Sequence, residues 1–423
     1  MNVLVFPGGS SIGLEIQQSL SQCKGITLHS AGTNVSNHAP YVFAQHHIMP
    51  SIHEENWLEH LNRLIREYDI DYIFPAYDDV IVALAENAFR IDARIVTSPL
   101  KTCLVTRSKS STYRFFADIL PVPRIFNSPN DIDRYPVFVK PDRGQGSEDA
   151  HYVRNREELF HILDGRHEHI IMEYLPGAEY TIDCFSDRER GLLFCGGRIR
   201  LRTRAGIAMD SQVVDDPSFR NFAEAINSKL EFYGAWFFQL KKDVNGKYKL
   251  LEIAPRIAGT MALHRVLGVN FALLSLYEQE RTPVEILVNE VKVEIDRALV
   301  NRYRHNVRFH SVYVDLDDTL ISKQGVNPKL ISFLYQCVNH EQRLILLTRR
   351  SDLLEETLRK YKLVGLFDKI VSIRPSEEKA DQIHDRDAIF IDDSFRERKK
   401  VSERVGILTF DCSMIEMLID ERV

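Results

Sequence analysis

Four consecutive apolar residues, Val3 to Phe6, run directly into Pro7-Gly8-Gly9-Ser10-Ser11 and then Ile12-Gly13. An uninterrupted apolar strand, a glycine turn and a helix start describe the first unit of a doubly wound parallel sheet. The glycines at 8, 9 and 13 miss the G-x-G-x-x-G spacing of a dinucleotide fingerprint. Its second half is missing too, since the next strand, Ile26 to Ser30, ends in Ala31-Gly32-Thr33-Asn34 without an acid for a ribose or an arginine for a 2'-phosphate. Nicotinamide binding is therefore not expected here.

The same alternation continues through a helix around Trp57 to Tyr68 and a strand from Asp71 to Pro75. After Pro99 comes a polar helix carrying Lys109, closed by Pro121 and Pro123. From Arg124 to Arg256 the pattern changes to strand pairs with glycine turns, followed by helix from Met261 to about Glu280. A charged stretch, Glu290 to Arg308, reads as a linker, and alternation of strand and helix resumes at Phe309. At about 150 residues per domain, 423 residues make two to four domains. A net charge of -6 argues against nonspecific nucleic-acid binding, so any anion site must be local. Six cysteines without a C-x-x-C pair argue against a zinc site or a disulfide framework. With no basic leader and no apolar run near about 18 residues, a cytoplasmic protein without a membrane span is expected.

In Val137-Phe-Val-Lys140-Pro-Asp-Arg-Gly144 a strand presents one ammonium, and the loop through Gly144, Gly146 and Ser147 offers backbone amides. Such a combination suits phosphate oxygens, although a surface lysine beside a hairpin loop reads the same way. Thirty residues on, Ile170 to Met172 leads through Glu173, Tyr174 and Leu175 into a Pro-Gly bend that could border an adenine, and Glu179 could accept from ribose hydroxyls. Asn245-Gly246 predicts a two-residue hairpin between Trp236–Leu240 and Lys249–Ile253. With Val244 facing Lys247, Gln239 falls opposite Glu252, about 5 Å away on one face. Two oxygen donors there suit a hard cation such as magnesium, and a cross-strand hydrogen bond is the alternative.

The order of these motifs resembles the ATP-grasp ligases, in particular the branch near carbamoyl phosphate synthetase and D-alanine ligase, over roughly residues 1–290. The resemblance implies that Lys109 and Lys140 hold ATP phosphates, that Gly144 to Ser147 form the phosphate loop, and that residues 172–175 cradle adenine. It makes Gln239 and Glu252 ligands of magnesium, or of manganese in its place, and gives Arg256 the transferred phosphate or the substrate carboxylate. Where the family usually has Glu-x-Asn-Pro-Arg this chain has Glu252-Ile-Ala254-Pro-Arg256, so one metal ligand is missing. The implied chemistry is phosphoryl transfer to a carboxylate, followed by attack of an amine on the acyl phosphate. The first lobe would then line an acceptor site near Ser10 and Ser11, where a helix terminus favours a carboxylate.

Arg198, Arg200, Arg202 and Arg204 alternate along one predicted strand and therefore share a face. Either they form a solvated edge, or one or two of them meet the acidic substrate or ATP phosphates.

Val312-Tyr-Val-Asp315-Leu-Asp317-Asp-Thr319 ends a buried strand in two carboxylates on one side, one placed to attack and one to exchange protons. With Thr348, Lys379 and Asp392-Asp393 following in order, the stretch 309–423 resembles the haloacid dehalogenase (HAD) phosphatases. That resemblance implies an aspartyl-phosphate at Asp315, acid-base work by Asp317, and phosphate contacts from Thr348 and Lys379. It implies magnesium among Asp315, Asp317, Asp392 and Asp393. From Thr319 to Thr348, and again to Lys379, there is room for one helix and one strand, so no cap domain is expected.

The expected chain is α/β throughout: a doubly wound pre-ATP-grasp lobe (1–100), an α+β ATP-grasp core (101–290), a linker (291–308) and a capless HAD-like Rossmannoid domain (309–423). Its expected activities are an ADP-forming carboxylate-amine ligase and a magnesium-dependent phosphatase, acting on small carboxylates, amines and a phosphorylated small molecule. The alternatives are a phosphatase whose weakened ATP-grasp part serves as a nucleotide-binding lid, and a nucleotide-binding regulatory module. A homo-oligomer remains open.

Overall fold

The computed structural model describes residues 1–144, 146, 148–163 and 168–422; Ser147, expected in the phosphate loop, lies outside them. The chain divides into two compact units, Met1–Leu299 and Val300–Arg422.

The first unit opens with a five-stranded parallel sheet in which Asn2–Phe6 is central, with Thr27–Gly32 and Gln45–Ile48 on one side and Tyr72–Pro75 and Arg94–Ile95 on the other. The apolar run is explained by its two faces. Val3 and Val5 pack with Ile12 and Ile16 of helix Ser11–Leu20, whereas Leu4 and Phe6 pack with Leu58 and Leu61 of helix Trp57–Glu67. The glycines serve close packing: a Cβ on Gly13 would stand 2.5 Å from the Gly8 carbonyl oxygen, and one on Gly9 would strike Asn37.

Next come a four-stranded antiparallel sheet (Ile125–Phe126, His169–Glu173, Val137–Pro141, His151–Val153) and a six-stranded antiparallel one. The six run, in spatial order, Tyr248–Ala254, Gly234–Lys242, Glu179–Asp187, Gly191–Arg204, Ile207–Val214 and Glu294–Asp296. Side chains alternate across this sheet. Ile182, Cys184, Trp236 and Phe238 bury against Phe219, Phe222 and Ile226 of helix Pro217–Lys229, leaving Thr181, Phe237, Gln239 and Lys241 for the opposite face.

Three sequence expectations change. The helix after Pro99 is two helices, Leu100–Arg107 and Lys109–Phe116, because the Ser108 side chain caps the second. The helix from Met261 breaks into Ala262–Arg265 and Phe271–Gln279, with Gly268 between them at φ +119°. The stretch read as a linker contributes the edge strand Glu294–Asp296, paired to Asp210–Gln212.

The second unit is a parallel sheet whose central strand Ser311–Val314 lies between Arg343–Thr348 and Ala388–Ile391, with Lys369–Ser372 and Leu408–Phe410 at the edges. Val312 and Val314 face helix Pro328–Asn339, and Tyr313 faces Val401 and Val405 of helix Phe395–Val405. A hairpin of two-residue strands, Ile321–Ser322 and Gly325–Val326, precedes helix Pro328–Asn339, an element beyond the one helix and one strand expected. No helix among the described residues is long and apolar enough to cross a membrane.

Candidate functional sites

In both parallel sheets the strand order reverses beside the first strand, and a crevice at the carboxyl ends is the usual ligand position there. In the first unit that position holds Ser10 and Ser11 after one strand and Asp78 after the other; in the second it holds Asp315 and Asp392.

A cavity of about 610 Å³ in the first unit gathers Lys109, Lys140, Gly144, Gly146, Glu173, Tyr174, Leu175, Glu179, Gln239, Glu252 and Arg256. It also takes in Ser10, Ser11, Arg198 and Arg200. Its floor is the six-stranded sheet, where Glu252, Gln239, Thr181 and Arg198 stand in one transverse row across four strands. The hairpin that sets this row differs from the expected one. Lys242 pairs with Tyr248, and Asp243 closes a three-residue loop, Val244-Asn245-Gly246, with Gly246 at φ +75°. A bulge between Gln239 and Leu240 then absorbs the slipped residue and brings Gln239 opposite Glu252. Among the described residues, neither side chain hydrogen-bonds to the other or to any other group. Two oxygen donors are left facing the cavity, as a hard cation would need.

The two lysines are held at one end of the cavity. Lys109 Nζ donates to the Gly144 carbonyl at 3.0 Å, while Asp142 accepts from Ser108 Oγ and the Ser110 amide and so fixes the start of that helix. Lys140 Nζ donates to Tyr113 Oη at 3.2 Å. Burial, and then the neighbouring Lys109 cation, push the Lys140 ammonium down to about 7, against Glu252 and Glu179, which favour its charge. An arriving polyanion would restore that charge. Glu173 is engaged by Lys249 Nζ at 2.6 Å and the Arg124 amide, so its carboxylate is structural. Glu179 is bound by Arg200 and, at 3.4 Å, by Lys241. The apolar walls are Phe138, Met172, Leu175 and Leu251.

Arg256 is gripped by Asp78, whose Oδ2 lies 3.1 Å from Nη2. Burial alone would raise the Asp78 carboxyl, but the guanidinium outweighs it and holds the acid below its ordinary value. Ala254 belongs to the apolar core, and the carboxylates in the small cavity beside it are Glu252 and the already committed Asp78. Ser10 caps helix Ser11–Leu20 through Gly13 N and donates to the Ala76 carbonyl at 3.0 Å, so its hydroxyl serves the fold.

The four arginines do not share a face. Register shifts between Arg200 and Arg202 and between Arg202 and Thr203 change the alternation, so Thr203 lines the cavity and Arg202 and Arg204 do not. Arg202 pairs with Asp296 instead, and Arg204 is exposed. Arg198 is only 1% exposed and donates from Nε and Nη2 to Asp183 at 2.8 and 3.1 Å; His264 Nδ1 meets the same carboxylate at 2.9 Å.

In the second unit Lys379 Nζ lies 2.7 Å from Asp315 Oδ1 and 2.6 Å from Asp392 Oδ2. Asp315, Asp392 and Asp393 each offer a carboxylate oxygen within 4.8 Å of the others. Burial raises Asp315 to about 6, opposed by Lys379 and assisted by Asp392. Asp392 is raised as well, chiefly by burial. Thr348 is buried at the end of its strand, and its Oγ1 accepts from the Arg350 amide. Asp317 stands apart from the carboxylate group, contrary to its expected place among the metal ligands: Arg350 Nε holds it at 3.0 and 3.1 Å. Asp393 exchanges hydrogen bonds with Thr319.

Sequence reasoning passed over Asp78, Tyr113, Asp183, His264, Arg297 and Arg350. Arg297 had a readable signal, because Val291-Lys-Val-Glu-Ile-Asp alternates as a strand does. The other five touch their partners from distant segments.

Residues 166–301 match a family model described as ATP-grasp in the biosynthetic pathway with Ter operon. Over 68% of its length the chain resembles in fold the biotin carboxylase domain of 2-oxoglutarate carboxylase from Hydrogenobacter thermophilus, with a TM-score of 0.56 at 14% identity and 71% of that chain covered. The first unit has the ATP-grasp fold. Also similar are the L-amino acid ligase of Bacillus licheniformis (TM-score 0.54, 17% identity, 67% and 75% covered) and the N5-carboxyaminoimidazole synthetase of Staphylococcus aureus complexed with ADP (0.55, 17%, 68% and 79%). A curated relative, the 5-formaminoimidazole-4-carboxamide-1-(beta)-D-ribofuranosyl 5'-monophosphate synthetase of Pyrobaculum neutrophilum, is 39% identical over 67 residues. That match spans 16% of this chain and 19% of the relative, about a fifth of its length.

Proposed function

We propose that the first unit is an ATP-dependent, ADP-forming ligase that activates a carboxylate as an acyl phosphate for attack by an amine. The observation carrying this reading is the pair Gln239 and Glu252, opposed and without hydrogen-bond partners among the described residues, in one cavity with Lys109, Lys140 and Arg256. Lys109 and Lys140 would lie along the phosphates, Phe138 and Met172 to Leu175 along the base, and Glu179 at the ribose. Gln239 and Glu252 would hold magnesium, which supplies charge neutralisation on the phosphates. A substrate carboxylate oxygen attacks the γ-phosphorus as the bond to the ADP oxygen breaks. The amine then attacks the acyl carbon, and phosphate leaves with the oxygen that came from the acid. Arg256, fixed by Asp78, steadies the charge on the transferring group.

The second unit favours a further reading as a HAD-type phosphatase, through the Lys379 ammonium bridging Asp315 and Asp392. Asp315 would attack the phosphorus of a phosphate ester while Asp317 protonates the leaving oxygen. Water, giving its proton to Asp317, would then release phosphate from Asp315. Thr348 and Lys379 would hold the phosphate oxygens, and Asp315, Asp392 and Asp393 suit magnesium. The two activities together would make the chain bifunctional.

Asp315→Asn protein, which cannot form the aspartyl-phosphate, tests the ligase reading with ATP, magnesium and pooled carboxylates and amines. ADP together with a mass-shifted product is expected. If wild type hydrolyses a generic phosphate ester and no pool yields ADP, the ligase reading fails and the phosphatase with a nucleotide-binding regulatory module takes its place.

A further inference from the structure

Arg198 uses two nitrogens on Asp183 and leaves its third, Nη1, buried without a hydrogen-bond partner among the described residues. A buried guanidinium nitrogen with no acceptor costs free energy unless something supplies one. Asp183 is fully committed, since it also serves His264. Arg198 lines the cavity, and it lies two strands beyond Gln239 in the transverse row, about 10 Å from it at ordinary strand spacing. That separation places it beyond the pair assigned to the nucleotide's cation.

A second cation reaches the same end of the cavity. Arg297, delivered by the edge strand Glu294–Asp296, also lines it. Among the described residues its guanidinium makes one hydrogen bond, to the Ala208 carbonyl at 3.5 Å, and no ion pair. Burial lowers its proton affinity, Glu15 opposes that, and the Arg198 charge adds to the lowering, so the two guanidiniums feel one another. Glu15 is itself bound by Arg265 at 2.7 Å. Ser11, at the start of a ten-residue helix, lines the same cavity and packs closely on Gly259, where a Cβ would meet the Ser11 carbonyl oxygen at 3.1 Å.

Resting on the ligase reading above, we infer that the acceptor acid carries a second anionic group, a carboxylate or a phosphate, held by Arg198 Nη1 and Arg297 while its other end is phosphorylated. A monocarboxylic acid leaves Arg198 Nη1 without an acceptor and Arg297 without an ion pair among the described residues. The substrate class is thus a dicarboxylic or phospho-carboxylic acid whose two anionic groups are several bonds apart.

The test compares succinate, glutarate and adipate, 3-phosphoglycerate, and the monoanions butyrate and pentanoate in ATP-driven ADP release by Asp315→Asn protein with ammonium and pooled amines. It is repeated with Arg297→Gln and Arg297→Lys in that background. The expected result is ADP release with dianionic acids, a KM for them raised at least tenfold in Arg297→Gln and partly recovered in Arg297→Lys, and a KM for ATP changed less than twofold. Preference for the diacids or for 3-phosphoglycerate names the second group. If monoanions serve equally well and Arg297→Gln changes nothing, the inference is overturned while the ligase reading stands. A loss of ATP affinity as large as the loss of acid affinity also overturns it, because Arg297 would then serve the nucleotide. No ADP with any acid, although ATP binds, removes the ligase reading and this inference with it.

Discussion

Gln239 and Glu252 stand directly opposite one another on adjacent antiparallel strands, and the two side chains form no hydrogen bond with each other. A buried-facing carboxylate beside an amide oxygen ordinarily acquires a donor; here both face the cavity that holds Lys109 and Lys140. Glu252→Gln keeps the shape and removes the charge. It should raise the dissociation constant for ATP with magnesium at least about tenfold, or 1.4 kcal/mol, without lowering the melting temperature. Calorimetric titration with and without magnesium checks this, and an unchanged constant would count against a cation at this pair.

Lys140 makes ATP binding depend on pH. Its ammonium loses its proton near pH 7 in the free protein, as burial and Lys109 outweigh Glu252 and Glu179, with Lys241 and Tyr113 completing its surroundings. ATP needs the charged form, so below pH 7 the proton is already in place, and above it binding must capture one. Affinity should therefore fall as pH rises from 7 to 9, by up to about tenfold per unit. Titrations in buffers of different ionisation enthalpy should show proton uptake. Lys140→Arg should bind ATP with little dependence over that range.

Asp183 neutralises Arg198 in a fully buried site and also receives His264. Removing one partner of such a pair costs about 3–5 kcal/mol, because the other charge is left in the interior. Asp183→Asn should lower the melting temperature of the first unit by roughly 6 °C or more. A shift below 2 °C would mean that the cavity supplies Arg198 with a different counter-charge.

Lys379 lies between Asp315 and Asp392, and all three are buried. Asp315→Asn should abolish hydrolysis of p-nitrophenyl phosphate, by a factor of at least about a thousand, and leave ATP binding to the first unit unchanged. Lys379→Met should do the same. Residual hydrolysis in both variants would locate any phosphatase activity elsewhere.

Local signals carried much of this architecture. The apolar runs at Val3 and Val312 and the strand pairs after Arg124 mark sheets because a strand buried on both faces has few other compositions. Gln239 and Glu252 were legible as a pair, but for an incomplete reason: the turn differs from the expected one, and a bulge restores the register. The common face expected for the four arginines is lost for the same physical cause, although Arg198 and Arg200 do line the cavity. Alternation predicts a common face only while the ladder is regular, and two register shifts in four residues divide Arg198 and Arg200 from Arg202 and Arg204. Arg297 was hidden by the charge around it, although its strand alternates. Asp78 and Arg350 act on residues 178 and 33 positions away, and nothing local in sequence announces such partners.

The acyl phosphate is the centre of this account, and labelled oxygen follows it directly. Asp315→Asn protein is given ATP, magnesium, amines and glutarate or 3-phosphoglycerate with carboxylates enriched in heavy oxygen, and the released phosphate is weighed by mass spectrometry. One labelled oxygen in each phosphate, matched to ADP, is the expected result. ADP accompanied by unlabelled phosphate would contradict carboxylate activation and leave only hydrolysis of ATP.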